Sequence, residues 1–153
     1  MNQKHLDAFR LFVKPTDKVL CTFSSEFGGS YDVRYVKEIG VKDCTCVDIK
    51  HPPEMDDYGY KIITGCAFDF FDNCKEEYDV VICDPWSNLN KRVVIDYMSI
   101  LKRIAKKYII IGIRYDKQER GLPYGQTVKD DNIQDMLVLR NNKTGLFWRF
   151  IKC

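Results

Sequence analysis

The chain has 153 residues, of which 45% are hydrophobic and 30% are charged, a composition typical of a globular protein. Its formal net charge of +2 neither requires nor excludes an anionic partner. No apolar stretch is long enough to cross a bilayer, and the N-terminal residues lack the apolar core of a signal peptide. We therefore expect a single cytoplasmic domain over residues 1–153, with no membrane partner.

The cysteines do not indicate a disulfide framework or a metal site. There are seven, an odd number, and no two have Cys-x-x-Cys spacing. Four of them lie within or beside apolar, strand-like runs, where a free thiol behaves as a small hydrophobe. These four are Cys21, Cys46, Cys66 and Cys83. We expect reduced core cysteines in a cytosolic protein.

The first half of the chain predicts alternating helices and strands. Apolar residues at helical spacing before Pro15 predict a first helix, and residues 18–23 predict a buried strand. A glycine-containing loop follows, and residues 32–39 then predict a second helix that Gly40 ends. Three further strands are predicted at residues 44–50, 61–68 and 79–83, with a loop at residues 51–60.

The second half begins with the clearest helical pattern, at residues 90–107, where lysines and an arginine in the last turns suit the helix dipole. Residues 108–115 are almost wholly apolar and predict a strand in the middle of a sheet. After a long polar loop, residues 135–140 and 146–153 predict a hairpin. This alternation predicts an α/β fold with a mostly parallel sheet, right-handed crossovers and a terminal antiparallel pair.

Several residues that leave the predicted strands are candidates for ligand binding, because ligands of open parallel sheets bind beyond the carboxyl ends of the strands. Gly28 and Gly29 form either a ligand-wrapping loop or a tight turn. Asp48 follows them by about 20 residues, the offset at which an acid accepts from ribose hydroxyls, although a solvated strand end is the alternative. Phe68 either stacks on an adenine ring or lies in the core. The G-x-G-x-x-G dinucleotide fingerprint is absent.

The tripeptide Asp84-Pro85-Trp86 follows the fourth predicted strand. The Asp84 carboxylate and the Pro85 carbonyl can both accept hydrogen bonds from one exocyclic amine, while Trp86 stacks on the ring that carries it. Proline fixes φ, so this carbonyl is held in place before a substrate arrives. The alternative is a strand-ending turn with an aspartate cap and a packed tryptophan.

With these residues identified, the chain over residues 18–153 resembles a class I S-adenosylmethionine-dependent methyltransferase. The segment VLCTFSSEFGG resembles the first motif of that family, CVDI its second-strand acid, and GCAFDFF its adenine-contacting loop. The segment CDPWSN is similar to the (Asp/Asn)-Pro-Pro-(Tyr/Phe/Trp) motif of the amino-methyltransferases that act on adenine or guanine in nucleic acids. The resemblance implies a Rossmann-like methyltransferase fold, with a mostly parallel seven-stranded sheet, a C-terminal antiparallel hairpin and helices on both faces.

The same resemblance implies a function, a cofactor and a set of site residues. The function is N-methylation of a base amine in DNA or RNA, with S-adenosylmethionine as cofactor and a nucleic acid as partner. The catalytic residues it implies are Asp84, Pro85 and Trp86. The cofactor-binding residues it implies are Phe23, Ser24, Glu26, Gly28, Gly29, Asp48, Cys66, Ala67 and Phe68.

Departures from the family pattern keep other functions open. Cys21 and Cys66 stand where the family usually has acids, and the substrate motif has one proline instead of two. These differences favour a catalytically degenerate binding module or partner subunit as the alternative. A small-molecule or protein methyltransferase is a third interpretation, and a nicotinamide enzyme is disfavoured because the glycine fingerprint is missing. Target recognition would come from the long loops or from a protein partner.

Overall fold

The computed structural model describes residues 2–23, 31–51, 53–83, 98–114, 134–141 and 146–153. The strands are β1 (Lys18–Thr22), β2 (Asp43–Asp48), β3 (Lys61–Thr64), β4 (Tyr78–Cys83), β5 (Ala105–Arg114), β6 (Gln134–Asn141) and β7 (Leu146–Lys152). The helices are α1 (Gln3–Phe12), α2 (Tyr31–Ile39) and α3 (Ala67–Asn73), with a 3₁₀ helix at Pro53–Tyr58. A fourth helix, α4, is described over residues 98–104.

Seven strands of the described residues form one sheet in the order β3-β2-β1-β4-β5-β7-β6. The first five strands run parallel, and β7 is antiparallel to both β5 and β6. This arrangement confirms the mostly parallel sheet and the terminal hairpin that the sequence predicts, although the turn residues 142–145 lie outside the described part. The strand order reverses at β1, which pairs with β2 on one side and β4 on the other.

Helices cover both faces of the sheet, as predicted. Because successive side chains of a strand point to opposite faces, Leu20 and Cys21 enter different cores. Cys21 belongs to the core under α1 and α2, and Leu20 to the core under α3 and α4. Both side chains are fully buried. This double coverage explains why the central strands are apolar almost throughout.

Helix α1 is attached to the sheet by aromatic side chains. The Asn2 side chain accepts from the His5 N–H, and the helix ends at Phe12, before Pro15 as predicted. The Phe9 ring is completely buried, with its centroid 5.0 Å from that of Trp148 on β7. Burying a side chain of this size contributes about 1.5–3 kcal/mol, so α1 is an integral part of one core.

Two predicted boundaries were wrong. The strand predicted over residues 61–68 ends at Thr64, and α3 begins at Ala67. The helix predicted over residues 90–107 gives way to β5 at Ala105, because Ala105 pairs with Tyr78 of β4. Lys107 therefore lies on a strand, and its Nζ is 2.6 Å from the Oδ1 of the buried Asp17. Its charge is balanced by this carboxylate and not by a helix dipole.

The described helices can be compared with the length and apolarity that a membrane-spanning helix needs. None of them is both long and apolar enough to cross a bilayer. The cytoplasmic location and the single-domain organisation stay predictions from the sequence.

Candidate active site

The candidate site lies at the edge where β1, β2 and β4 end, next to the reversal of strand order. In open α/β sheets this crevice is the usual place for a ligand. Thr22, the last residue of β1, pairs with Val47 on one side and with Cys83 on the other. The three strands therefore end at the same level.

Phe23, a predicted cofactor-binding residue, leaves β1 in an unusual conformation. Its φ is +60°, a value that L-residues rarely adopt and that costs of order 1–3 kcal/mol. The Phe23 N–H donates to the Val47 carbonyl over 3.1 Å, which holds the backbone against β2. Its ring packs edge-on against Phe68, with the centroids 5.2 Å apart. Strain of this kind clusters at binding sites, where the surrounding structure maintains it.

Asp48, the predicted ribose ligand, is the last residue of β2 and is only 4% exposed. Its Oδ1 accepts a hydrogen bond from the Ile49 N–H at 2.6 Å. Its backbone carbonyl accepts from the Gly65 N–H at 2.9 Å, which ties the ends of β2 and β3 together. A carboxylate fixed in this way can accept hydrogen bonds from ligand hydroxyls without first losing much side-chain freedom.

The three predicted adenine-contacting residues lie at the start of α3 and not on the end of a strand. Cys66 is the exposed N-cap residue and makes no side-chain capping bond within the described structure. Ala67 and Phe68 form the first turn and are both buried. Contact between Phe68 and Phe23 brings this segment to the end of β1. The structure thus gathers five of the predicted cofactor-binding residues at one edge of the sheet.

The remaining predicted site residues lie outside the described part of the chain. They are Ser24, Glu26, Gly28 and Gly29 from the first loop, and Asp84, Pro85 and Trp86 from the motif after β4. The last described residues of β1 and β4, Thr22 and Cys83, are directly paired.

Sequence reasoning missed Thr22 and Ile49. The buried Thr22 hydroxyl lies 3.2 Å from the Ile82 carbonyl oxygen, to which it donates, and 3.1 Å from the Cys83 Sγ. It therefore links the end of β1 to the end of β4. Ile49 is 49% exposed directly after Asp48 and offers apolar surface beside the carboxylate. The position of Ile49 directly after Asp48 was a usable signal. The Thr22 hydroxyl, which lies within an apolar strand, gave no such signal.

A buried arginine also lies at the level of this edge. Arg149 on β7 pairs with Ile111, which in turn pairs with Cys83, so the three side chains share one face of the sheet. Arg149 is 4% exposed, and burial lowers its pKa to about 10. It still carries its charge at pH 7. Among the described residues no group of His, Cys, Asp or Glu is arranged to hold a metal ion.

Several solved structures that are similar to this chain are methyltransferases. No protein-family model and no curated protein matches the chain. The chain is similar to a ribosomal protein L11 methylase from Lactobacillus delbrueckii subsp. bulgaricus, with 14% identity and a TM-score of 0.61 over 97% of this chain and 76% of that one. It is also similar to an rRNA methylase from Streptococcus thermophilus, with 10% identity and a TM-score of 0.64 over 97% and 93%.

A third similar structure contains a product of methyl transfer. It is the O-methyltransferase from Bacillus cereus in complex with SAH, with 12% identity and a TM-score of 0.62 over 100% of this chain and 82% of that one. Identities this low indicate only that the folds are similar and do not identify the acceptor of a methyl group. The mostly parallel seven-stranded sheet, its antiparallel end and the helices on both faces agree with these structures. The chain therefore has the Rossmann-like fold of the class I methyltransferases.

Proposed function

We propose that this protein is an S-adenosylmethionine-dependent methyltransferase that methylates a base amine in RNA. The observation that carries the proposal is the gathering of Phe23, Asp48 and Phe68 at the carboxyl edge of a sheet with the methyltransferase strand order. This edge is where open α/β sheets bind nucleotide-like ligands.

The donor would be held by the ends of the first three strands. Asp48 would accept from the ribose hydroxyls, and the wall formed by Phe23 and Phe68 fits a flat, apolar adenine face. Cys66 and Ala67 would line the same end of the pocket, next to Phe68. The loop that contains Ser24, Glu26, Gly28 and Gly29 starts directly after Phe23 and would enclose the rest of the donor. When bound, the cofactor supplies an electrophilic methyl group on a positively charged sulfur.

The acceptor would be held by the motif after β4. Residue 84 follows Cys83, and Cys83 pairs with Thr22 at the end of β1. The Asp84 carboxylate and the Pro85 carbonyl would accept from the amine, and Trp86 would stack on its ring. The contribution of these residues is orientation, which brings the amine nitrogen in line with the methyl carbon. The amine then loses its proton after the new bond has formed, so Asp84 need not act as a strong base.

RNA is our first choice of acceptor, and a protein is the second. The motif Asp84-Pro85-Trp86 suits a flat ring amine, and one of the similar structures is an rRNA methylase. A base within a duplex would have to be flipped out to reach Trp86. The similar ribosomal protein methylase favours the protein acceptor. A protein partner that supplies target recognition stays a prediction from the sequence.

One observation favours a catalytically degenerate relative as the alternative. The side chain at position 21, where the family usually has an acid, is a fully buried cysteine under α1 and α2. It is therefore shielded from any ligand at the strand ends, and the first strand offers no carboxylate there. Donor binding would then depend more heavily on Asp48.

Two measurements test the proposal. Isothermal titration calorimetry with S-adenosylmethionine and with its demethylated product measures donor binding directly. Transfer of a radiolabelled methyl group to rRNA, tRNA or ribosomal protein then identifies the acceptor. We expect donor binding and label in RNA. Binding without transfer to any acceptor would support the degenerate relative, and absence of heat with both ligands would refute the donor site.

An Asp84→Ala variant separates the acceptor site from the donor site. We expect methyl transfer to fall by about 100-fold or more, because the amine loses its orienting acceptor, while donor affinity stays within about twofold. Asp43→Ala is the matched control, since Asp43 is an exposed aspartate at the opposite end of β2. An equal loss of transfer and donor binding in Asp84→Ala would show that Asp84 maintains the structure and does not serve the acceptor.

A further inference from the structure

Three cysteine side chains lie together on one face of the sheet, in the strands that lead to the candidate site. Cys21 is on β1, and Cys44 and Cys46 are on β2. Alternate residues of a strand point to the same face, and Cys21 is paired directly with Cys46. All three thiols therefore enter the core under α1 and α2. We call these three residues the thiol cluster.

The sulfur atoms of the thiol cluster are close enough to interact. The Cys44 Sγ is 3.9 Å from the Cys21 Sγ and 3.9 Å from the Cys46 Sγ. All three cysteines are free thiols, and their exposed fractions are 0% for Cys21, 3% for Cys44 and 0% for Cys46. Isolated core cysteines behave as small hydrophobes, but three adjacent sulfurs also have the means to react with one another.

Strand geometry selects the pair that can form a bond. Neighbouring strands lie about 4.8 Å apart, which falls inside the range of about 4.4–6.8 Å that a disulfide requires between Cα atoms. The directly paired Cys21 and Cys46 meet this condition. Cys21 and Cys44 are two positions out of register, so their Cα atoms are about 8 Å apart, beyond this range. Cys44 and Cys46 are two residues apart on one extended strand, so their Cα atoms are about 6.6 Å apart, near the upper limit.

We propose that the thiol cluster is an oxidation site, at which hydrogen peroxide converts Cys21 and Cys46 into a reversible disulfide across the β1–β2 pair. The Cys46 sulfur attacks one peroxide oxygen, the O–O bond breaks, and a sulfenic acid and one water form. The Cys21 sulfur then attacks the Cys46 sulfur, the S–O bond breaks, and a second water leaves. Two thiols and one peroxide thus give one disulfide and two waters, and the two electrons lost by the sulfurs reduce the peroxide.

The surroundings of the thiol cluster distinguish the attacking sulfur from its partner. Only a thiolate attacks peroxide efficiently. Hydrogen bonding within the thiol cluster lowers the pKa of Cys46, and the nearby His51 adds to this effect. Burial raises the pKa of Cys21. We therefore assign the first attack to Cys46 and the closing of the bond to Cys21.

The disulfide would act on the candidate site through the strand ends, a consequence that rests on the proposed function. Cys21 lies two residues before Phe23, and Cys46 lies two residues before Asp48. The Phe23 N–H bonds to the Val47 carbonyl, so both ends move with the spacing of β1 and β2. A covalent bond between the strands would shift Phe23 relative to Asp48.

The test uses the full chain with Cys66→Ser and Cys153→Ser, which removes the two exposed thiols. After treatment of the folded protein with hydrogen peroxide, mass spectrometry should show the loss of two hydrogens and a link between peptides 19–34 and 43–50. Dithiothreitol should reverse both changes. A link to Cys74 or Cys83, or thiols that stay reduced until the chain unfolds, would overturn the proposal.

Single substitutions in this background identify the pair, because Cys44 and Cys46 lie on the same tryptic peptide. We expect Cys46→Ala to abolish the link and Cys44→Ala to retain it. Cys74→Ala, which removes a buried thiol outside the thiol cluster, is the matched control and should also retain it. A link that persists in Cys46→Ala would refute the assignment of Cys46.

Donor affinity provides a separate measurement, made on the full chain with Cys66 unchanged because this residue belongs to the candidate donor site. Calorimetry with S-adenosylmethionine should show binding to the oxidised protein that is weaker by about tenfold or more, because small displacements of binding groups have large effects. Equal affinity of the two forms would refute the effect on the site. If the disulfide forms but the reduced protein also fails to bind the donor, the proposed function fails and the oxidation site stands.

Discussion

Replacing Asp48 by alanine is the most direct test of the donor site. Asp48 is 4% exposed at the end of β2, and its carboxylate is held by the Ile49 N–H at 2.6 Å. A hydrogen bond to a charged group contributes about 1.5–3 kcal/mol. Loss of one such bond to a ribose hydroxyl would therefore weaken S-adenosylmethionine binding by about 10- to 150-fold, and loss of two by more.

The same substitution has a structural effect that must be separated from the binding effect. Asp48→Ala also loses the bond to the Ile49 N–H, which contributes about 1.5–3 kcal/mol when the acceptor is charged. Thermal melting measures this loss of stability. The loss should be smaller in Asp48→Asn, which keeps the size of the side chain. Asp43→Ala on the same strand is the matched control, because Asp43 is exposed and lies far from the site.

The assay is isothermal titration calorimetry at a temperature at which each variant is folded. We expect wild type and Asp43→Ala to bind the donor with the same affinity, and both Asp48 variants to bind more weakly. If Asp48→Ala binds as tightly as Asp43→Ala, the carboxylate does not contact the ribose, and the donor has been placed at the wrong strand end.

Two further predictions concern stability. Phe9→Ala should lower the free energy of unfolding in urea by about 3–5 kcal/mol, because the fully buried ring packs against Trp148. Leu11→Ala, at a 65% exposed position of the same helix, should change this free energy by less than about 0.5 kcal/mol. Equal losses in the two variants would refute the packing of α1. Burial and the charge of Lys4 lower the pKa of His5 below 6.5, so the unfolded chain takes up the proton first and stability should fall as pH drops below 6.5. Between pH 7.5 and pH 5.5 the melting temperature of His5→Gln should therefore fall less than that of the wild type. An identical fall in the two proteins would exclude His5 as the cause.

The sequence predicts most of the fold because the decisive signals are local. The run from Val80 to Cys83 is apolar and is bounded by Asp79 and Asp84, so it identifies a buried strand without knowledge of its neighbours. Helix α4 shows the limit of such signals. Its pattern continues through Lys107, but Ala105 pairs with Tyr78 and the helix stops. Pairing with another strand overrides the local preference for helix, and the periodicity of residues 90–107 does not predict this pairing.

The candidate site is less predictable from the sequence because it depends on contacts between distant residues. The position of Asp48 follows from the strand pattern, since an acid that ends an apolar strand must reach the edge of the sheet. The positive φ of Phe23 does not, because glycine is the residue expected in this conformation and the sequence offers Gly28 and Gly29 nearby. The bond from Thr22 to the Ile82 carbonyl likewise joins two strands that are far apart in the sequence.

The packing of α1 has a consequence for how the chain folds during synthesis. Phe9 and Phe12 rest on Trp148 and Phe150, residues that leave the ribosome long after α1 has been made. A ten-residue helix is too short to persist alone in water. Tyr35 of α2 covers part of its apolar face early, but only β7 completes the cover, and an incomplete nascent chain would present the remainder to chaperones or to other nascent chains.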